Sequence, residues 1–180
     1  MSLKPNYSSR SRSEKVAEEC ARIDGKGEIA RYSCWGAVLH VLYLKNVISK
    51  PKFDSLNQAT EPSKFKDLFP EGCPLVRSST ELLNVPRGSI LGFFKKRDGN
   101  DFLAHAMIYV GRGEAYGLNN GAIGGSGAWQ KMRLTSNATA IWGAPLSFSY
   151  EEVGRPGSRI PVELRYRDID DMNTPGCVIM

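Results

Sequence analysis

Near neutral pH, nucleophilic and general-base chemistry in this chain rests chiefly on four cysteines, at positions 20, 34, 73 and 177, and two histidines, His40 and His105. Cys34 is the best placed of them. Ser33 is of a type that caps helices, and Trp35, Ala37, Val38, Leu39, Val41, Leu42, Leu44 and Val47 predict a buried helix over 33–47. Cys34 then falls in the first turn, where backbone N–H groups are unpaired and carry partial positive charge. That position favours a thiolate and supplies donors for an oxyanion once sulfur attacks a carbonyl. A base must come from one of the two imidazoles. His40 lies six residues along the same helix and is turned well away from Cys34. His105 opens an apolar strand that a sheet packed on the helix can bring to the helix tip, so it is the expected base. The next strand ends in Leu118-Asn119-Asn120, and the tight turn at Gly111-Arg112-Gly113 brings Asn119 toward His105 in an antiparallel ladder, as the acceptor that orients the ring. Each of these residues also has a plain reading. A cysteine beside a tryptophan is more often a small buried hydrophobe, a strand histidine a satisfied polar group, and Asn-Asn-Gly a turn.

The elements that must hold these groups read as helices first and strands later. Residues 2–13 are polar and rich in Ser and Arg, an arm. Ser13 has the type of an N-cap for a short helix with Val16, Cys20 and Ile23 on one face, stopped by Asp24-Gly25-Lys26-Gly27. Pro51 closes the apolar helix, and 52–86 is irregular, with short helices near 63–69 and 79–83. Strand periodicity follows at 89–94, 103–111, 114–118, 130–134 and 139–142. The glycines between 111 and 127 spell no phosphate-binding loop. The expected architecture is α+β, with N-terminal helices packed on an antiparallel sheet, in one domain over 14–170 followed by a tail, 171–180.

Composition narrows the classes. The 180 residues, 41% hydrophobic and 24% charged, suffice for one domain with a real core. The net charge of +5 suits an anionic partner, but the basic residues are scattered and no recognition module is present, so nucleic acid is not expected. No C-x-x-C pair accompanies the two histidines, so neither a structural metal nor another cofactor is expected. The apolar run 34–44 is too short to span a bilayer, and the first 30 residues lack the apolar core of a secretory signal.

Three blocks carry a resemblance. Tyr32-Ser33-Cys34-Trp35-Gly36-Ala37-Val38 is similar to the nucleophile segment of NlpC-type, papain-like cysteine peptidases. Val85-Pro86-Arg87-Gly88-Ser89-Ile90-Leu91-Gly92-Phe93-Phe94 resembles that family's proline-glycine turn and strand, and His105-Ala106-Met107-Ile108-Tyr109-Val110-Gly111-Arg112-Gly113 resembles its histidine strand. The resemblance implies a papain-like fold, Cys34 as nucleophile, His105 as base, and an amide of cell-wall stem or cross-link peptides as substrate. The family's third polar residue usually falls about twelve positions after the histidine, at Gly117 here, so Asn119, of the same strand parity, stands in for it. Glu28 occupies the place of an oxyanion-hole glutamine, which leaves that role to backbone N–H groups near Cys34.

The function expected is that of a monomeric antibacterial amidase, delivered by a specialised secretion route and countered by an immunity protein. The final residues, Cys177-Val178-Ile179-Met180, have the form of a farnesylation signal. They motivate the alternative of a cytoplasmic, host-directed protease or deamidase, lipidated at Cys177 and membrane-associated only through that lipid. A third reading is an inactive binding module of the same fold.

Overall fold

The computed structural model describes residues 11–23, 27–57, 68–135, 146–152 and 154–173. Helix α1 (Arg12–Arg22) begins inside the expected arm and is capped by Ser11, whose hydroxyl accepts the Glu14 N–H at 3.2 Å. Ser13 is not the cap. It is buried, and its hydroxyl donates to Asp170 in the 3₁₀ turn Asp170–Asn173, which fastens the C-terminal end of the fold to α1.

A 3₁₀ turn (Gly27–Arg31) leads to α2 (Cys34–Leu44), where Ser33 is the cap as expected and accepts the Gly36 N–H at 3.1 Å. Ala37, Val38, Leu39, Val41 and Leu42 are fully buried. Each Val or Leu so removed from water contributes about 1.5–3 kcal/mol before entropy costs. Asn46, in a left-handed conformation (φ 56°), ends the helix earlier than the sequence suggests. Pro51 does not close α2. It sits in the first turn of α3 (Lys50–Asn57), where a missing N–H costs nothing.

Helix α4 (Ser79–Leu83) matches its expected span, capped by Ser78. Of the short helix expected near 63–69, positions 63–67 lie outside the described residues, as do the strand expected at 139–142 and Cys177.

The strands are β1 (Leu75–Val76), β2 (Ile90–Arg97), β3 (Asn100–Gly111), β4 (Glu114–Gly117), β5 (Gln130–Arg133), β6 (Phe148–Tyr150) and β7 (Ile160–Arg167). They form an antiparallel sheet in the order β1-β7-β2-β3-β4-β5, with β6 pairing β7 off this path. On one face, Ile90, Phe94, Ala106, Ile108 and Tyr116 pack against α1 and α2. On the other, Leu91, Phe93, Met107, Tyr109 and Leu164 pack with Leu82 and Val85. The fold class is therefore α+β, helices on an antiparallel sheet. Strand β7 was not visible in the sequence, because Pro161, Glu163, Arg165 and Arg167 break its apolar pattern. Its place in the sheet is secured by Arg165, which pairs with Asp101 at 2.7 Å and lies 4.6 Å over the Phe94 ring.

Candidate active site

The site forms where β4 runs out. In β3, the Tyr109 N–H donates to Ser89 O on the β2 side (2.9 Å). Strand alternation therefore sends the N–H groups of Ile108 and Ala106 the other way, toward β4. Ile108 faces Tyr116, but β4 stops at Gly117, so Ala106 presents its N–H to an open strand margin. Cys34, in the first turn of α2, lies near enough to that margin for the Ala106 N–H to favour its thiolate. The thiol thus meets β3 at the residue next to His105.

His105 is 2% exposed, and its Nε2 lies 2.7 Å from Asn120 Oδ1. Asn120 is fully buried, and its Nδ2 donates to Gly117 O at 2.9 Å. Because the carbonyl of Gly117 can only accept, the amide must turn its oxygen to the imidazole. Nε2 then carries the proton and Nδ1 keeps a lone pair, the tautomer a general base needs. Among the described residues no hydrogen bond falls on Nδ1, and none joins it to the Cys34 sulfur.

Asn119 is not the orienting residue. In a continued ladder it would oppose His105, but β4 has ended, and Asn119 takes a left-handed conformation (φ 59°, ψ 43°) that leaves it exposed and swings Asn120 inward. Asn120 opens the 3₁₀ turn Asn120–Ile123. Gly117 explains why no side chain serves at that position: a Cβ there would stand 2.6 Å from Asn120 Oδ1 and 2.9 Å from Met107 Cγ. The space its missing side chain leaves is occupied by the Asn120 amide.

The electrostatics correct a second expectation. Burial pushes the Cys34 thiol up to about 11, outweighing the N–H groups of Ala106, Trp35 and Cys34 itself, which act in the opposite direction. Cys34 is 7% exposed, so the first-turn position alone does not make a thiolate. Burial likewise pulls His105 down to about 4, against the opposing pull of the Asn120 hydrogen bond. At rest both the thiol and the imidazole are neutral.

Residues on β2 and β6 close the site. Phe93 lies 5.8 Å from the His105 ring and meets Phe148 edge-on at 5.2 Å. Two residues on, burial is the main cause that raises the Tyr150 hydroxyl above its ordinary value. Lys95 Nζ lies 4.8 Å from the Tyr150 ring centroid and 3.4 Å from Glu152.

The other candidates stand elsewhere. His40 stacks on Tyr32 at 4.9 Å and leaves a buried Nδ1 unpaired. Glu28 is exposed on its 3₁₀ turn, and its charge is felt at Arg22 and His40. Cys20 is sealed in the core and directs its Sγ to Val16 O (3.3 Å). Among the described residues no group of three metal-binding side chains could hold an ion, and no helix is long and apolar enough to cross a membrane.

No family model, curated protein or solved structure matches this chain. Sequence reasoning missed Asn120 and the Ala106 N–H. For Asn120 a signal was present, since it adjoins the residue chosen, but strand parity pointed to its neighbour.

Proposed function

We propose that the protein is a papain-like cysteine hydrolase acting on an amide bond. What supports this reading is a first-turn thiol within reach of the N–H of Ala106, the neighbour of His105 in the chain, and an imidazole held by Asn120 as the Nε2–H tautomer. Cys34 Sγ attacks the carbonyl carbon while His105 Nδ1 takes the thiol proton, so proton and nucleophile move together and no resting thiolate is required. The C–N bond breaks as His105 returns that proton to the leaving amine. Water, deprotonated by His105, then clears the thioester. Backbone N–H groups around Cys34 are the donors nearest the developing oxyanion.

The resemblance in three sequence blocks makes stem or cross-link peptides of the cell wall the preferred substrate, with delivery as an antibacterial effector and an immunity protein as natural inhibitor. Purified sacculi incubated with the protein should release new stem-peptide products by mass spectrometry, and Cys34→Ala should release none. A second reading, an inactive binding module of the same fold, is favoured by the buried neutral thiol and its lack of a hydrogen bond to His105. Sacculi left intact, together with wild-type retention on them, would select it.

A further inference from the structure

The segment that follows Asn120 is rich in glycine, and its glycines are not equivalent. A Cβ on Gly121 or Gly124 would meet no atom within 4 Å, and one on Gly127 would meet only Asn119 Oδ1, at 3.9 Å. A Cβ on Gly125 would stand 2.5 Å from the Asn120 Cβ, 2.6 Å from Met132 Sδ and 2.9 Å from Gln130 Nε2. Carbon atoms pack at about 3.5–4.0 Å, so a methyl at 125 would displace something by about 1 Å. Neither Gly121 nor Gly125 takes a positive φ, so it is space and not backbone freedom that calls for glycine at 125.

Of those three neighbours, Asn120 has the least room to step aside. Met132 and Gln130 are half-buried on β5, and they meet position 125 with the far ends of flexible side chains. Asn120 is fully buried, its amide held by His105 Nε2 (2.7 Å) and Gly117 O (2.9 Å), and its own carbonyl accepts the Gly125 N–H at 2.8 Å. The segment is also tied down on both sides. Ala122 O accepts the N–H of Glu151, just past β6, at 3.0 Å, and the Ser126 hydroxyl donates to Gln130. Drawing Gly125 away from Asn120 would break these bonds, so its α-carbon is the stop against which the Asn120 side chain rests.

We infer that Gly125 is a positioning residue for His105, acting through Asn120. Gly117 bounds the amide at its oxygen and Gly125 bounds it at its stem, and between them the ring is kept as the Nε2–H tautomer with its lone pair on Nδ1. A shift of about 1 Å at the stem stretches the 2.7 Å contact with Nε2 beyond hydrogen-bond length, and misplacements of that size cost about 10²-fold in rate. The effect on turnover rests on the hydrolase reading, whereas the effect on the tautomer rests on these contacts alone.

The test is ¹⁵N NMR of the His105 ring in the full chain near neutral pH. The wild-type ring should show a protonated Nε2 and a bare Nδ1, with an Nε2 proton slow to exchange with water. Gly125→Ala should lose that pattern to mixed tautomers or a fast-exchanging proton, and kcat on sacculi should fall about 10²-fold with KM within about threefold. Gly121→Ala, in the same segment but with room for its methyl, should keep the wild-type ring signals and turnover. Where Gly125→Ala does not fold, Met132→Ala replaces it: removing the support behind Gly125 lets the segment draw off Asn120, and the Nε2 proton should exchange at least tenfold faster. The inference is overturned if the wild-type ring carries its proton on Nδ1, if the ring in Gly125→Ala, or proton exchange in Met132→Ala, matches wild type, or if Gly121→Ala changes the signals as much. Sacculi left intact by the wild type would sink the hydrolase reading alone, because the ring signals decide the positioning role.

Discussion

Replacing Asn120 by alanine tests the geometry at its most exacting point. The substitution deletes both bonds of a fully buried amide, the 2.7 Å contact with His105 Nε2 and the 2.9 Å contact with Gly117 O. It leaves a buried N–H and a buried carbonyl without partners, at about 1–3 kcal/mol each, so a stability loss of about 2–6 kcal/mol is expected, measured as the shift in denaturation midpoint at unchanged m-value. The imidazole also loses the acceptor that fixes its tautomer, and turnover on sacculi should fall about 10²-fold or more. Because the Asn120 bond supports the protonated ring, the His105 pKa should move further below about 4, readable by ¹⁵N NMR of the ring nitrogens. The companion variant is Asn119→Gly, which suits the left-handed backbone at φ 59° and should stay within about twofold of wild type in activity. Wild-type turnover in Asn120→Ala, or a larger loss in Asn119→Gly, would refute the assignment of the orienting residue.

Other outcomes follow from the same site. His105 has a folded pKa of about 4 against an ordinary 6.5, so the unfolded chain binds more protons between those values, and stability is fully present above 6.5 and lost as pH falls toward 4. The loss is on the order of 3 kcal/mol, and a wild-type-minus-His105→Gln difference that stays flat across this window would contradict it. Cys34, raised to about 11, should react with iodoacetamide slowly at pH 7 and faster with rising pH, without a plateau below about pH 10; mass spectrometry of the labelled peptide gives the rate, and a plateau near neutral pH would mean a thiolate at rest. Gly117→Ala should displace the Asn120 amide, since the added Cβ falls 2.6 Å from its Oδ1, and should reproduce the His105 NMR changes of Asn120→Ala. Unchanged ring signals would argue against that steric reasoning.

Local rules carried much of the fold. The Ser33 cap, the buried helix behind Cys34, α4, and the antiparallel run from β2 to β5 were legible because capping residues, apolar periodicity and tight turns act over a few positions. The cap of α1 was misplaced at Ser13 because its hydroxyl is claimed by Asp170, a partner 157 residues away in the chain. Pro51 was misread because proline ends one helix and begins another with equal local logic. Strand β7 escaped because Arg165 is held across strands, by Asp101 and the face of Phe94, and such pairs leave no periodic trace.

By itself the sequence determined the chemical cast, a thiol at a helix start and an imidazole on a strand, since residue type and short-range periodicity suffice to name them. Tertiary structure alone decided how they are arranged and charged. Where β4 stops sets which N–H the sulfur meets, a left-handed residue at 119 hands the orienting role to Asn120, and burial overrides the helix terminus at Cys34. Each of these depends on strand ends and solvent exclusion, which arise only when distant segments pack together.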